Sequence, residues 1–167
     1  AVEIWDDVKI LLKREDDSVS YPLLLSAFGR CSLEYAQTIF DHIPDNHKQV
    51  DKISHGLMMK YYMHYDNPQQ AIVFYDNMNE NVKDNVIHIQ AIKACIKANN
   101  FKKGQQIQFD LRNKDDVQIK TTLIEFYNHF GDKSYALDLF NSIKDDQKDI
   151  ASISSMMKCY IDNADYD

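Results

Sequence analysis

One segment of the chain reads Ala136-Leu137-Asp138-Leu139-Phe140-Asn141-Ser142-Ile143. Ala136, Phe140 and Ile143 are spaced by 4 and then 3 residues, which places them on one face of a helix. The same pattern recurs at intervals of about 33 residues, which is typical of stacked helical repeats. Its other copies are Ala1/Trp5/Val8, Ala36/Phe40/Ile43 and Ala71/Tyr75/Met78, with Gly104/Leu111 as a degenerate copy.

A second block precedes each of the later copies. It reads apolar-apolar-polar-apolar-apolar, as in Leu123-Ile124-Glu125-Phe126-Tyr127. Apolar residues with this spacing form a wide stripe on a helix, and they do not alternate as in a half-buried strand. Two helical blocks that alternate at a fixed period predict an all-α fold, an α-solenoid in which neighbouring hairpins stack to bury their faces. The remaining copies are residues 24–28, 58–62, 91–95 and 156–160.

These blocks divide the chain into repeats without an apparent domain boundary. We predict a single repeat domain over residues 1–167. Residues 1–17 read as the second helix of a preceding repeat, and residues 150–167 as the first helix of a following one. Between them lie four complete repeats: residues 18–51, 52–84, 85–116 and 117–149.

Helix-ending and helix-starting residues agree with this period. Asn67-Pro68 offers a capping side chain followed by a proline at the first helical position. Gly131-Asp132 is predicted to end one helix and cap the next, and Ser32 is predicted to cap the helix that carries Ala36. We predict loops over residues 45–48 and 144–148, which are polar.

Composition restricts the function classes. The net charge of −7 disfavours indiscriminate binding to phosphates, although it permits a local basic groove. No apolar run approaches the length of a membrane span, so we expect no membrane partner. Cys31, Cys95 and Cys159 lack metal-ligand spacing. We expect Cys95 and Cys159 to be small apolar residues in helix stripes, and the absence of a disulfide framework favours a reducing compartment.

Enzyme motifs are missing from the sequence. No histidine is followed two residues later by Glu, and no two cysteines are close, as zinc deaminases require. Four scattered glycines cannot form a phosphate-binding loop. We therefore predict no catalytic residues, no metal site, no cofactor and no small-molecule substrate within this chain.

Several segments resemble a known repeat family. They are the first-helix segments 116–127 and Val19-Ser20-Tyr21-Pro22-Leu23-Leu24-Leu25-Ser26-Ala27, together with Gly131-Asp132 and Ala136-Leu137-Asp138-Leu139-Phe140. They resemble the pentatricopeptide repeat over essentially the whole chain. Lys103-Gly104-Gln105-Gln106-Ile107 is similar to the second helix of the long repeat variant in organellar RNA-editing factors. The resemblance implies a right-handed α-solenoid superhelix of tandem helix-turn-helix repeats.

The tetratricopeptide repeat is the alternative family, because it is also helical and about 34 residues long. Its Trp-x2-Leu-Gly-x2-Tyr first helix is missing here. The segments Thr121-Thr122-Leu123-Ile124 and Val19-Ser20-Tyr21 fit the pentatricopeptide type better.

The resemblance implies that single-stranded RNA is the partner, read at about one base per repeat from the concave face. In this family the residue that closes each repeat helps to select the base. The chain has acidic acceptors at that place, which suit the N–H groups on the pairing edges of guanine or uracil. A helix N-cap role would explain their phasing equally well. The four residues are Asp51, Asp84, Asp116 and Asp149.

A polar residue early in the first helix meets the base edge in this family. Thr121 occupies that place in the fourth repeat, and Thr with Asp149 is the family's combination for guanine. Ser154 occupies it in the last, partial repeat. The first three repeats depart from the pattern, because Pro22, Gly56 and Ile89 offer no side-chain hydrogen bond.

The family also implies apolar residues that sandwich the base. Val19, Ile53 and Val86 fit that role, whereas Gln118 and Ala151 fit it poorly. A further series of residues shares one phase near the end of the first helix: Arg30, His64, Lys97 and His129. Positive groups there would contact phosphates, so Arg30 and Lys97 are predicted phosphate contacts. A favourable interaction with the helix macrodipole is the simpler alternative.

Three functions are compatible with these observations. The first is a sequence-selective RNA adaptor for RNA processing or editing, with a mitochondrial location inferred from the family and the targeting segment outside this chain. The second is a protein-binding scaffold that holds a protein partner on its concave face. The third is the specificity arm of a longer editing enzyme whose catalytic domain follows.

Overall fold

The computed structural model describes residues 2–12, 20–111 and 115–161. These residues form helices and turns, with no β-strand among them, so the all-α prediction is confirmed. A 3₁₀ turn covers Asp145–Gln147. The α-helices, numbered in chain order, are α1 Val2–Leu12, α2 Tyr21–Phe28, α3 Leu33–Asp41, α4 Asp45–Lys48, α5 Lys52–His64, α6 Pro68–Asp76, α7 Asn85–Lys97, α8 Phe101–Asp110, α9 Val117–His129, α10 Lys133–Asn141 and α11 Ile150–Ile161.

The helices group into two compact units, Ala1–Asp84 and Asn85–Asp167. In the first unit, α2 pairs with α3 and α5 pairs with α6; α5 also packs against both α2 and α3. In the second unit, α7 pairs with α8 and α9 pairs with α10, while α9 packs against α7 and α11. Within each unit, the first helix of one hairpin therefore contacts the first helix of the next.

The predicted repeat boundaries coincide with helix starts. Helices α5, α7, α9 and α11 begin at residues 52, 85, 117 and 150, where the predicted repeats begin. The apolar triads are buried as predicted, because a stripe at this spacing can face only one side of the helix. Phe140 is the exception: its ring is half-buried and carries the Lys148 ammonium 4.9 Å from its centroid. Ala1 of the first copy lies outside the described residues.

Most predicted helix caps are confirmed. The Ser32 hydroxyl accepts a hydrogen bond from the Glu34 backbone N–H at 3.1 Å, and the Asp132 carboxylate accepts one from Tyr135 at the same distance. Gly131 has a φ of 84°, which favours glycine at this helix end. These caps depend only on neighbours along the chain, which explains why the sequence predicted them.

Two local predictions were wrong. Asn67 does not cap α6, because its side-chain amide turns back and donates a hydrogen bond to the Tyr65 carbonyl at 2.9 Å. The two predicted loops contain helical turns, since residues 45–48 form α4 and Asp145–Gln147 form a 3₁₀ turn. The Pro44 carbonyl starts α4, since it accepts hydrogen bonds from the backbone N–H groups of His47 and Lys48, both at 2.9 Å.

Candidate functional site

A cleft of about 270 Å³ lies in the second unit, where α7, α9 and the start of α11 meet. This volume is slightly below the range for drug-sized ligands, so the cleft has room for one small group. Helix α7 contributes Ile89 and Lys93, and α9 contributes Gln118, Thr121, Thr122 and Glu125. The beginning of α11 contributes Asp149 and Ala151. The cleft therefore brings together residues that are far apart in the sequence.

Thr121 has an unusual hydrogen-bonding state. Its side chain is buried, and its Oγ1 atom has no hydrogen-bond partner among the described residues. The adjacent Thr122 shows the ordinary arrangement, because its hydroxyl donates to the Gln118 carbonyl at 2.9 Å. A buried polar atom without a partner costs about 1–3 kcal/mol. The Thr121 hydroxyl is thus a group that a ligand could satisfy.

Asp149 lines the same cleft and caps α11. Its Oδ1 atom accepts a hydrogen bond from the Ser152 backbone N–H at 2.8 Å. This hydrogen bond, and secondly the Ser152 hydroxyl, lower the pKa of the Asp149 carboxyl below its ordinary value. The group is therefore a carboxylate at neutral pH, and a carboxylate accepts about four hydrogen bonds. It keeps the capacity to accept from a ligand.

The aspartates that close the other repeats also sit at helix starts. The Asp51 carboxylate accepts from the Ser54 backbone N–H at 2.9 Å and caps α5. Asp116 caps α9 through Ile119 at 3.0 Å, and its second oxygen accepts from the Asn85 amide at 2.9 Å. Asp84 is half-buried and directly precedes α7. Capping thus accounts for the phasing of Asp51, Asp116 and Asp149 without any ligand.

The other predicted base-facing residues lie on first helices as expected. Pro22 and Ile89 are half-buried on α2 and α7. Gly56 on α5 has open space where a side chain would extend. Ser154 is exposed on α11 and does not line the cleft of Thr121. Only the fourth repeat therefore combines a hydroxyl and a repeat-closing carboxylate in a cleft that the structure describes.

The predicted sandwiching residues have exposed side chains. Ile53 is 66% exposed and Val86 is 57% exposed, which is high for aliphatic side chains on packed helices. Val19 lies outside the described residues. Gln118 and Ala151 fitted the sandwiching role poorly, yet both line the cleft with Thr121. The cleft walls are consequently less apolar than the family pattern implies.

The predicted phosphate contacts are on the surface. Arg30 lies in the turn after α2, and Lys97 is the last residue of α7; both are exposed. Lys93 also lines the cleft, although the sequence reasoning gave it no role. Its position four residues after Ile89 was the available signal, because residues at i and i+4 share a helix face.

The first unit has a different cleft of about 400 Å³, lined by aromatic rings together with polar side chains. His55 lies in it against Phe40 and Phe74, at ring-centroid distances of 5.0 and 5.7 Å. The His55 Nδ1–H donates to the Asp51 carbonyl at 2.7 Å. Burial lowers the pKa of His55, so the ring is held in its neutral form. Sequence reasoning did not identify this residue.

Among residues 2–12, 20–111 and 115–161, no cluster of His, Cys, Asp or Glu has the arrangement of a metal site. Within the same ranges, no helix has the length and apolar content needed to cross a bilayer. No protein-family model matches this chain, and no curated protein matches it.

Proposed function

We propose that this chain is a single-stranded RNA-binding module built from pentatricopeptide-type repeats. In this proposal the hairpins continue one another as a right-handed α-solenoid superhelix, and their first helices line its concave face. Two observations support it: helix starts fall at the predicted repeat boundaries, and first helices of adjacent hairpins pack together within each unit. Such packing repeats equivalent side chains along one face.

The observation that carries the proposal is the cleft shared by Thr121 and Asp149. The two residues lie near the start and at the end of the fourth repeat and supply complementary chemistry: a hydroxyl without a partner among the described residues, and an ionised acceptor. Guanine offers N–H donors on its pairing edge for the carboxylate. Because the Thr121 Oγ1 atom is buried, the proposal includes a change of χ1 that brings it to the base. Threonine in helices populates two such rotamers.

The proposal assigns base reading chiefly to the fourth repeat. Asp51, Asp84 and Asp116 would read bases only weakly, because Pro22, Gly56 and Ile89 supply no hydrogen bond. These repeats would hold a base by packing or leave it uncontacted. Arg30 and Lys97 would contact phosphates, and Ile53 and Val86 would pack against bases. Ser154 would act with a residue beyond the chain.

The cellular role follows from the resemblance. We propose an organellar, mitochondrial RNA-processing or RNA-editing factor in which this module selects the RNA and any catalysis lies in another segment or protein. A binding role needs a groove and no reacting groups, which agrees with the proposed absence of a catalytic site.

The test uses two substitutions that preserve the fold. Thr121→Val keeps the side-chain shape and removes a buried hydroxyl that has no partner in the described part of the chain, so stability should be unchanged or higher. Asp149→Asn keeps a capping oxygen while removing the charge. The affinities of an adenine-rich RNA with one variable base are measured by fluorescence anisotropy. The guanine preference is the ratio of the affinities for the guanine RNA and for the other RNAs. We expect this ratio to fall roughly fivefold to tenfold in each variant, which corresponds to about 1–1.4 kcal/mol.

Asp51→Asn is the matched control, because Asp51 caps α5 in the same way but is paired with Pro22. It should change the base preference much less than Asp149→Asn does. If Thr121→Val and Asp149→Asn retain the parent's affinity for all four RNAs, base reading by this repeat is rejected. If the parent binds none of the RNAs at ~50 mM salt, where phosphate contacts are strong, RNA binding itself is rejected.

A protein-binding scaffold is the second candidate function, favoured by two observations. The net charge of −7 opposes RNA affinity, and capping explains the aspartates at residues 51, 116 and 149. This candidate predicts no binding to any RNA of the panel and capture of a peptide or helix on the first-helix face.

A further inference from the structure

Lys93 enters the cleft from a different repeat than Thr121. It lies on α7, and its side chain lines the same cleft as Thr121 and Asp149. Lys93 is exposed, and within the described ranges it makes no hydrogen bond or salt bridge. Its ammonium group therefore remains available to a ligand. The established repeat pattern gives this position no role.

The position of Lys93 follows from helix geometry. It is four residues after Ile89, which also lines the cleft, so both side chains lie on one face about one turn apart. Ile89 is the base-facing residue of its repeat and cannot form a hydrogen bond. Lys60 stands in the same relation to Gly56 on α5. These two repeats, which have no polar base-facing residue, thus carry a lysine one turn further along.

The charges of the cleft favour a neutral base over a phosphate. Glu125 and Asp149 both line it, and the Glu125 carboxylate accepts a hydrogen bond from the Ser155 hydroxyl at 3.2 Å. Two carboxylates and one ammonium give the lining a net negative charge, which repels a phosphodiester. A neutral hydrogen-bond acceptor is therefore the better ligand for the Lys93 ammonium in this cleft.

We propose that Lys93 is a specificity-determining residue that selects keto bases by donating a hydrogen bond to guanine O6 or uracil O4. This inference rests on the proposed RNA-binding function. An ammonium only donates and an ionised carboxylate only accepts. Lys93 and Asp149 together match an edge with a carbonyl beside an N–H, which guanine and uracil have. Adenine and cytosine present an amino group beside a bare nitrogen, so they mismatch both residues.

The experiment changes one atom of the base. Guanosine at the variable position of the RNA is replaced by 6-thioguanosine, which keeps the N–H groups but presents sulfur, a weak acceptor, in place of O6. Affinities are measured for the parent, Lys93→Met and Lys93→Arg. We expect the sulfur to weaken binding to the parent roughly fivefold and to leave binding to Lys93→Met unchanged. Lys93→Arg should retain the sensitivity.

Several outcomes would overturn this inference. If sulfur weakens binding equally in the parent and in Lys93→Met, then Lys93 does not contact O6. A loss in Lys93→Met that is uniform over all four bases, with a salt slope reduced by about one, would identify a phosphate contact instead. In both cases the proposed function survives if the parent prefers guanine and Asp149→Asn abolishes that preference. A parent that binds no RNA would overturn both proposals.

Discussion

The two units place an aromatic residue at the same position of a first helix but accommodate it differently. Tyr61 is the tenth residue of α5, and Phe126 is the tenth residue of α9. Each ring lies where a glycine of a neighbouring segment leaves room: Gly29 after α2 for Tyr61, and Gly104 within α8 for Phe126. The same position thus packs against a first helix in one unit and against a second helix in the other.

The chemistry of the two contacts differs accordingly. The Tyr61 hydroxyl donates to the Leu25 carbonyl at 2.8 Å, which satisfies a carbonyl near the end of α2. Phe126 has no polar group and stacks on Phe101 with a centroid distance of 5.5 Å and an interplanar angle of 6°. The comparison indicates that the hairpin framework requires space and apolar area at this position, whereas its polar contacts can vary.

The first-helix faces differ in the same way. At the predicted base-facing positions, the first unit carries Pro22 and Gly56. The second carries Ile89 and also Thr121, whose hydroxyl has no partner among the described residues. Shared packing with different side-chain chemistry on the first helices is expected for a repeat protein, since only the stacking residues are constrained by neighbours. Three substitutions would break or sharpen this comparison.

The largest effect is expected for Gly104→Ala. An added Cβ would overlap ring atoms Cε2 and Cζ of Phe126, which is fully buried and stacked on Phe101. We expect overpacking to cost about 1–3 kcal/mol, only partly offset by the better helix propensity of alanine. Urea unfolding followed by circular dichroism measures the change.

Gly56→Ala is the matched control for this substitution. Gly56 also lies within a helix, but no atom of a neighbouring segment that the structure describes lies within 4 Å of the place that a Cβ would occupy. Alanine should therefore stabilise the fold by about 0.5–1 kcal/mol. Similar changes in free energy for both variants would contradict the close packing of Gly104 against Phe126.

A smaller effect is expected for Tyr61→Phe, which makes the first unit resemble the second. The Leu25 carbonyl loses the tyrosine hydroxyl but keeps a hydrogen bond from the Gly29 backbone N–H at 2.9 Å. We therefore expect a loss of about 1 kcal/mol in the free energy of unfolding, measured by the same urea titration. The reciprocal Phe126→Tyr should cost more, because its hydroxyl would point toward Gly104. If both substitutions lower the free energy of unfolding equally, the surroundings of Tyr61 do not accommodate a hydroxyl better than those of Phe126.

The smallest effect is expected for Pro22→Thr, which installs in the first unit the pair found in the second. Asp51 already caps the next first helix, and Ile53 is exposed beside it. If the proposed function holds, Pro22→Thr should raise the affinity roughly threefold for an RNA that carries a second guanine at the matching position. That position is found by moving the second guanine along the RNA. Pro22→Val is the control, since valine has the same shape without the hydroxyl. A gain in both variants would indicate an effect of losing proline.

Local sequence signals predicted much of the fold. The helix starts at residues 52, 85, 117 and 150 follow from the apolar period, because an amphipathic stripe and its cap are properties of one segment. The caps at Ser32 and Asp132 are equally local. The failures at Asn67 and at residues 45–48 arose where a backbone carbonyl competed for the local hydrogen bonds.

The sequence by itself determined that these segments are helices, where the helices begin and which faces are apolar, since those properties arise within a few residues. Only the tertiary structure decided that Lys93, Thr121 and Asp149 line one cleft and that the Thr121 hydroxyl lacks a hydrogen-bond partner among the described residues. Those features depend on how three helices pack. Side-chain contacts between distant segments are set by packing, which no local pattern encodes.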